Sequence, residues 1–481
     1  MGVPTLRRQA ERRGLRLWPV GRVLVLAFAA AVLVAAAVFY TGWDLLDARG
    51  LKPEHRIDSK TLFDLVKLSF GVVAGAGALV ALIVAYRRQR VDEDGALREA
   101  TRLHTERFTT AVGQLGNEAA AVRLGGVHAL AGLADDAPTR DLRQTCIDVL
   151  CAYLRLPYTA ETDLPAGDAE ARHAYLALRE VRHTVVRLIR DHLRLKPEHP
   201  HSWQGHDFDL TGITFDGGDL SYAQFSSGRV AFRGTVFSGG TVNFTGARFS
   251  GARVDFSGAQ FSGGTVNFGR VRFSGGSVDF SEAEFSGASV DFDMVEFSGA
   301  RVAFRAARFS GARVDFGLAG FSGGMVDFSE ARFSGGRVNF SPAEFSGGTV
   351  AFLAARFSGG TVDFRAASFS SSTVDFSRAR FSGGTVDFRA ASFSGTVDFR
   401  AASFSSGTVD FRTAGFSSGT VDFSAANFSS GSVDFSVARF SGGTVNFSDT
   451  TGTQPLGLVP PGGTPMPTGL TLPPAWHAAN S

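Results

Sequence analysis

The chain has 481 residues, with 48 Lys and Arg against 46 Asp and Glu, a formal net charge of +2, and 44% hydrophobic side chains. That length leaves room for two soluble domains plus a membrane anchor. The near-neutral balance argues neither for nucleic-acid binding nor for an acidic mimic of it.

The first segment, residues 1–22, is basic, with Arg7, Arg8, Arg12, Arg13, Arg16 and Arg22. Residues 23–90 then read as a transmembrane helical hairpin. Val23 to Tyr40 is an apolar run of 18 residues, and Leu68 to Tyr86 is a second of 19 whose one polar residue is Ser69. Each is long enough to span about 30 Å of hydrocarbon. Arg87, Arg88 and Arg90 follow the second run, and the Lys/Arg bias places both ends in the cytoplasm. The intervening loop, Thr41 to Lys67, weakens that bias with its five basic and five acidic residues. The competing reading of the first run is a cleaved signal peptide with Ala35-Ala36-Ala37 as its small-residue site. Either way the second run leaves everything downstream cytoplasmic.

Residues 91–206 form a charged, Ala- and Leu-rich helical module. Its periodicity and breakers predict helices over Asp94 to Leu115, Glu118 to Leu133, Thr139 to Leu154 and Asp168 to Leu193. The chain's two cysteines, Cys146 and Cys151, fall on the third of these, five residues apart and therefore on different faces. They read as buried, reduced thiols, consistent with a cytoplasmic site. His199, His201 and His206, with Asp207 and Asp209, make the densest cluster of potential metal ligands. Their spacing matches no strict metal template, and the preferred reading is a linker that docks Trp203 onto the first coil of the repeat region.

Residues 207–448 are that repeat region. From Phe225 to Phe447 the chain places 38 phenylalanines on a nearly unbroken 5, 7, 5, 7 spacing. In the unit Val254-Asp255-Phe256-Ser257-Gly258, the first and third residues point inward and the second outward, as in a short half-buried strand. Ser-Gly supplies a turn. Ala247, Ala259, Ala283, Ala307, Ala331, Ala343, Ala355, Ala367 and Ala379 take a small inward slot beside every second ring. One unit cannot bury its rings alone, so stability requires stacking of neighbours. The spacing predicts a rectangular coil of 24 residues, about ten coils at roughly 4.8 Å each. A flattened 12-residue coil is the competing reading. A single slip, six residues from Phe393 to Phe399, predicts one shortened loop with the strands still in register. The recurring Asp255, Asp279, Asp291, Asp315, Asp327, Asp363, Asp375, Asp387, Asp398, Asp410, Asp422 and Asp434 form outer ladders. Bonds to turn backbone and arginines such as Arg253, Arg313 and Arg365 are expected to satisfy them, rather than calcium.

The repeat pattern, Ala/Val, Asp/Asn, Leu/Phe, Ser/Thr, Gly, resembles that of pentapeptide-repeat proteins. The strict five-residue spacing of Leu210, Phe215, Leu220 and Phe225 follows it most closely, and the two extra residues on every second side depart from it. The resemblance implies a right-handed quadrilateral parallel β-helix. Ala121 to Leu133 resembles a HEAT-like or armadillo-like helical pair, and the whole arrangement is similar to membrane-anchored actinobacterial members of that family. The fold class expected is α plus β-solenoid, with an amphipathic helix such as Ala174 to Leu193 covering the first coil.

Residues 449–481, rich in Pro, Gly and Thr, read as a disordered tail. Either an uncovered final coil pairs with that of a second copy, as the family resemblance implies, or Leu470 to Trp476 covers it. No nucleotide loop, nucleophile elbow or catalytic carboxylate pair stands out, so no enzyme, no cofactor and no catalytic, cofactor-binding or metal residues are expected. The function expected is a membrane-tethered scaffold on the cytoplasmic side with an unidentified protein partner and no nucleic acid. The alternatives are a DNA-mimic modulator of topoisomerase, which the 23 acidic residues and 20 arginines of Asp207 to Asp449 disfavour, and a sensor signalling through the helical module.

Overall fold

The computed structural model describes residues 58–370, 372–459 and 468–477, with ten isolated positions between Val25 and Asp44. The basic segment 1–22 lies outside the described residues, as does the first apolar run apart from those positions. The chain divides into two compact units, Met1–Arg102 and Leu103–Ser481.

In the first unit the main element is helix α1, Ser59–Leu115, whose last turns belong to the second unit. It joins the second apolar run and the first helix expected after it without a break. No proline interrupts 87–93, and Gly116-Asn117 end the helix where the sequence suggests. Leu68, Phe70, Leu82 and Val84 are exposed on it. Among the described residues no helix is long and apolar enough to cross a membrane. The described side chains do not cover Leu68 to Tyr86 continuously, since positions 69, 72, 73 and 76 lie outside them.

The second unit begins with helices α2 (Ala120–Asp135), α3 (Arg140–Leu154) and α4 (Ala169–Arg194). Thr139 and Asp168 cap α3 and α4 by accepting from the backbone N–H groups of Leu142 and Ala171, as capping requires. Val127, Leu130, Ile147, Leu150, Val185 and Ile189 meet in their core. Cys146 and Cys151 are free and buried there, where burial pushes their thiols up to about 11 and about 12.

From Phe208 the chain winds into a parallel β-solenoid of about 11 turns. Strand partners lie 24 residues apart: Thr265 opposite Ser289, Arg253 opposite Ser277, Arg272 opposite Glu296. This register excludes the 12-residue coil. Each coil has four faces. The first is a 12-stranded sheet and the fourth a 10-stranded one. The second and third merge into one 18-stranded sheet, because Arg356–Asp363, Arg380–Asp387 and Ser403–Asp410 continue as strand around the corner. At the slip, Thr373 pairs with Thr396, one residue short, and the next coil returns to 24. Every phenylalanine from Phe225 to Phe447 is buried except the partly buried Phe440.

The rings build four ladders. Phe292, Phe316 and Phe340 stack at 4.7 and 4.8 Å with planes 3° and 2° apart. Ladders on opposite sides of the coil meet edge to face, as Phe304 and Phe316 do at 5.8 Å and 86°. Both geometries suit the aromatic quadrupole. The alanines beside the rings are 0–1% exposed, and Val271 and Val295 fill the same slot fully buried, so the interior accepts a methyl or isopropyl group there.

The turns differ from expectation. Ser-Gly supplies the turn where it was expected, as at Gly258 with φ 63°, but among the described residues sixteen non-glycine residues, including Glu282, Met294, Leu318 and Val437, also take φ between 54° and 62°. At most of them the Asp or Asn preceding the ring makes this tolerable by accepting the N–H two residues on, as Asp279 does from Ser281 at 2.8 Å, while Ala306 and Ala354 follow Ala303 and Ala351 and have no such acceptor. Glycine is needed at other corners. A Cβ on Gly264 would collide with the carbonyl of Gly240 in the coil before it.

Both ends of the solenoid are covered. On the first coil, Arg182 of α4 donates to the carbonyl of Thr214 at 2.8 Å and Arg194 to that of Ser221 at 2.8 Å. At the last coil, Leu470–Thr471 adds a strand beside Val445 and Asn446. Trp476 lies 5.7 Å from both Phe428 and Phe447 and donates its N–H to Gly452. The covering by Leu470 to Trp476, one of the two readings the sequence left open for this end, is thus the one the described residues display. An indole with an internal hydrogen-bond partner is a large apolar surface available to cover exposed rings.

Replacing Phe316 with Asp buries a charge with no counter-ion among stacked rings. Thermal unfolding followed by circular dichroism is expected to lose its cooperative transition; wild-type melting would contradict the inward ladders.

Candidate interaction surface

The residues singled out as potential metal ligands are dispersed. His206 bonds through Nδ1 with Gln144 at 3.0 Å, and Asp209 pairs with Arg155. His201 Nδ1 stands 3.8 Å from Asp135. Among the described residues no group of three or more His, Cys, Asp or Glu is placed to hold a metal ion. Trp203 is fully buried, but the partners it finds are helical: it stacks on His192 of α4 at 4.1 Å and donates to Asp135 at 3.1 Å. The linker thus ties α2 to α4, where docking onto the first coil was expected.

The joint between helices and solenoid is a polar cluster around Asp216, invisible in the sequence because its members lie far apart. The Asp216 side chain, 7% exposed, accepts from Tyr158 at 2.5 Å and Tyr175 at 2.6 Å, with His183 at 3.6 Å. Arg182 lies over the Tyr158 ring at 4.1 Å. Burial would raise the Asp216 carboxyl, but the nearby His183 imidazole and the hydrogen bonds from Tyr158 and Tyr175 outweigh it and hold the group at about 2.

The outer faces divide into paired and unpaired charge. On the third face, acid and base alternate along the axis. Arg365 bonds Asp363 at 2.7 Å and reaches Asp387 at 3.6 Å. Arg389 joins Asp387 to Asp410, and Arg412 joins Asp410 to Asp434. Burial would raise Asp363 and Asp410, yet their arginines draw both below the usual carboxylate range. The expected pairing through turn backbone and Arg365 is observed. Arg313 stands 3.8 Å from Asp315, and Asp255 faces Arg229 rather than Arg253. Nearer the first coil the acids of this face crowd one another, and Asp293 is raised by burial and by the charges of Asp291 and Asp315, against which Arg270 acts. The fourth face instead exposes Tyr222, Met294 and Leu318 at its turns.

No family model matches the chain, and no curated protein matches it. A solenoid with phenylalanine about every five residues is consistent with pentapeptide repeats. Its faces are the surface on which a functional reading must rest.

Because Asp216 titrates lower folded than unfolded, its contribution is complete above about pH 4. It is lost as pH falls through about 2, amounting to at most about 2 kcal/mol. Hydrogen exchange should show α4 losing protection between about pH 5 and about pH 2. Asp216→Asn should lower protection at pH 5 and flatten that slope; an unchanged profile would contradict the role given to this cluster.

Proposed function

We propose that this protein is a membrane-tethered, non-enzymatic pentapeptide-repeat scaffold that presents its solenoid on the cytoplasmic side of a membrane for binding by another protein. The observation that carries the scaffold reading is the separation of interior from surface. Rings, small apolar residues and coil-to-coil backbone bonds satisfy the inside, so outward residues vary from coil to coil without disturbing the fold. The strand position before Phe shows this freedom on the second face, where Gln260, Glu284, Arg308 and Ser403 occupy one column.

The tether rests on the two apolar runs of the sequence. The exposed Leu68, Phe70, Leu82 and Val84 on α1 fit a helix side packed by lipid. The Arg87-Arg88-Gln89-Arg90 cluster fits the cytoplasmic end of such a span. A DNA-mimic reading is disfavoured because Arg365, Arg389 and Arg412 neutralise the acid column that would imitate phosphates.

A reporter active only outside the cytoplasm, fused after Asn480, is expected to give no signal while the protein sediments with membranes. A strong signal would contradict the topology, and a soluble full-length chain would contradict the tether.

A further inference from the structure

One stretch of the second face departs from the charge pairing found elsewhere. Arg332, Arg356 and Arg380 occupy the same position on three successive coils, directly in register. Arg378 stands at the turn beside Arg380, and all four side chains are exposed. Two residues after each column arginine comes a serine, Ser334, Ser358 and Ser382. On an extended strand this spacing points Arg and Ser outward together and the intervening Phe inward. These residues line a shallow groove of about 890 Å³.

Among the described residues no carboxylate pairs with these four arginines, although neighbouring ones are matched: Arg308 with Glu284 at 2.6 Å and Arg305 with Glu330 at 2.9 Å. Like charges stacked in register are unfavourable. The fold does not require them, because Ser403 takes the next place in the same column. The basic stretch is also short. Glu284 and Glu330, the latter at the turn beside Arg332 and paired with Arg305, bound it towards the first coil, and Ser403 and Asn427 towards the last. It therefore spans roughly 10 to 15 Å of axis.

We propose that this groove is a binding site for a multiply phosphorylated anion. Guanidinium groups of successive coils clasp adjacent phosphates, and the serine hydroxyls donate to the oxygens between them. The groove offers donors and positive charge but no opposing acid, and the guanidinium fork matches phosphate oxygens two at a time. A single carboxylate would satisfy one rung, whereas a compact polyphosphate neutralises several. The acidic and neutral ends of the column leave an extended nucleic acid no continuous track. The proposal stands apart from the membrane reading, since the ligand could be a free polyphosphate or a phosphorylated lipid headgroup.

The test is calorimetric titration of the full chain in detergent at fixed ionic strength. The probes are sodium tripolyphosphate, a short-chain phospholipid with a phosphorylated inositol headgroup, and a DNA duplex. Arg356→Ser should weaken the better phosphate ligand about tenfold, and Arg356→Ser with Arg380→Ser should abolish measurable binding. Arg248→Ser, the same charge change at the equivalent strand position of the fourth face, should leave affinity within about twofold. Preference for tripolyphosphate or for the lipid, with that pattern of losses, supports the site and names its source. Absence of binding, equal loss in Arg248→Ser, or tighter arginine-dependent binding of the duplex would overturn it. Arg356→Ser carries a residue native to this column, so a melting temperature matching wild type separates loss of ligand from loss of fold.

Discussion

The structure depends on aromatic rings lying face to face at the height of one β-strand spacing. Hydrogen-bonded parallel strands stand about 4.8 Å apart, and the Phe ladders stack at 4.5 to 5.2 Å along most of the solenoid. Backbone pairing and ring stacking therefore reinforce one another in a single register. A buried Phe is worth about 1.5 to 3 kcal/mol and a well-placed ring pair about 0.5 to 1.5 more. A slip of one residue would turn each ring outward. That penalty explains how the chain absorbs its one-residue deletion between Phe393 and Thr396 in a loop while Phe369, Phe393 and Phe416 stay stacked at 4.9 Å.

The same constraint sets what surrounds the rings. Four ladders in one coil leave space for methyl and isopropyl groups, hence alanine and valine in the inward slots. Turns must close without lifting the coils apart, which brings in Asp or Asn as a backbone acceptor and places glycine where one coil's carbonyl rests against the next. Stacking has no internal stop, so both ends need covering. Helix α4 meets the first coil with arginines that donate to its free carbonyls, and Trp476 meets the last with a ring of its own. The C-terminal end, on which an end-to-end homodimer would depend, is covered by the chain itself.

Much of this was legible in residue order because the repeat is strong. The Phe spacing gave the inward set and the coil length, and periodicity with its breakers placed the helices that Thr139 and Asp168 cap. Other features were not legible. Trp476 lies among prolines and glycines whose composition resembles disorder, and only the exposed rings of the last coil explain why it orders. Met294 and Leu318 carry no local sign of their positive φ, which the preceding Asp291 and Asp315 make tolerable. The Asp216 cluster joins residues from a loop, a helix and the first coil. The arginine column becomes visible once 24-residue registration sets Arg332, Arg356 and Arg380 beside one another and shows that no acid answers them.

Paired cysteines on the outer surface test the 24-residue registration most directly. With Cys146 and Cys151 buried, new cysteines at Thr265 and Ser289, which face one another in adjacent strands, should form a disulfide under mild oxidation. Cysteines at Thr265 and Ser277, twelve residues apart on different faces, should remain free. Adjacent strands fall within the Cα separation a disulfide tolerates, about 4.4 to 6.8 Å. Crosslinking of the second pair without the first would contradict the coil and the phenylalanine ladders with it.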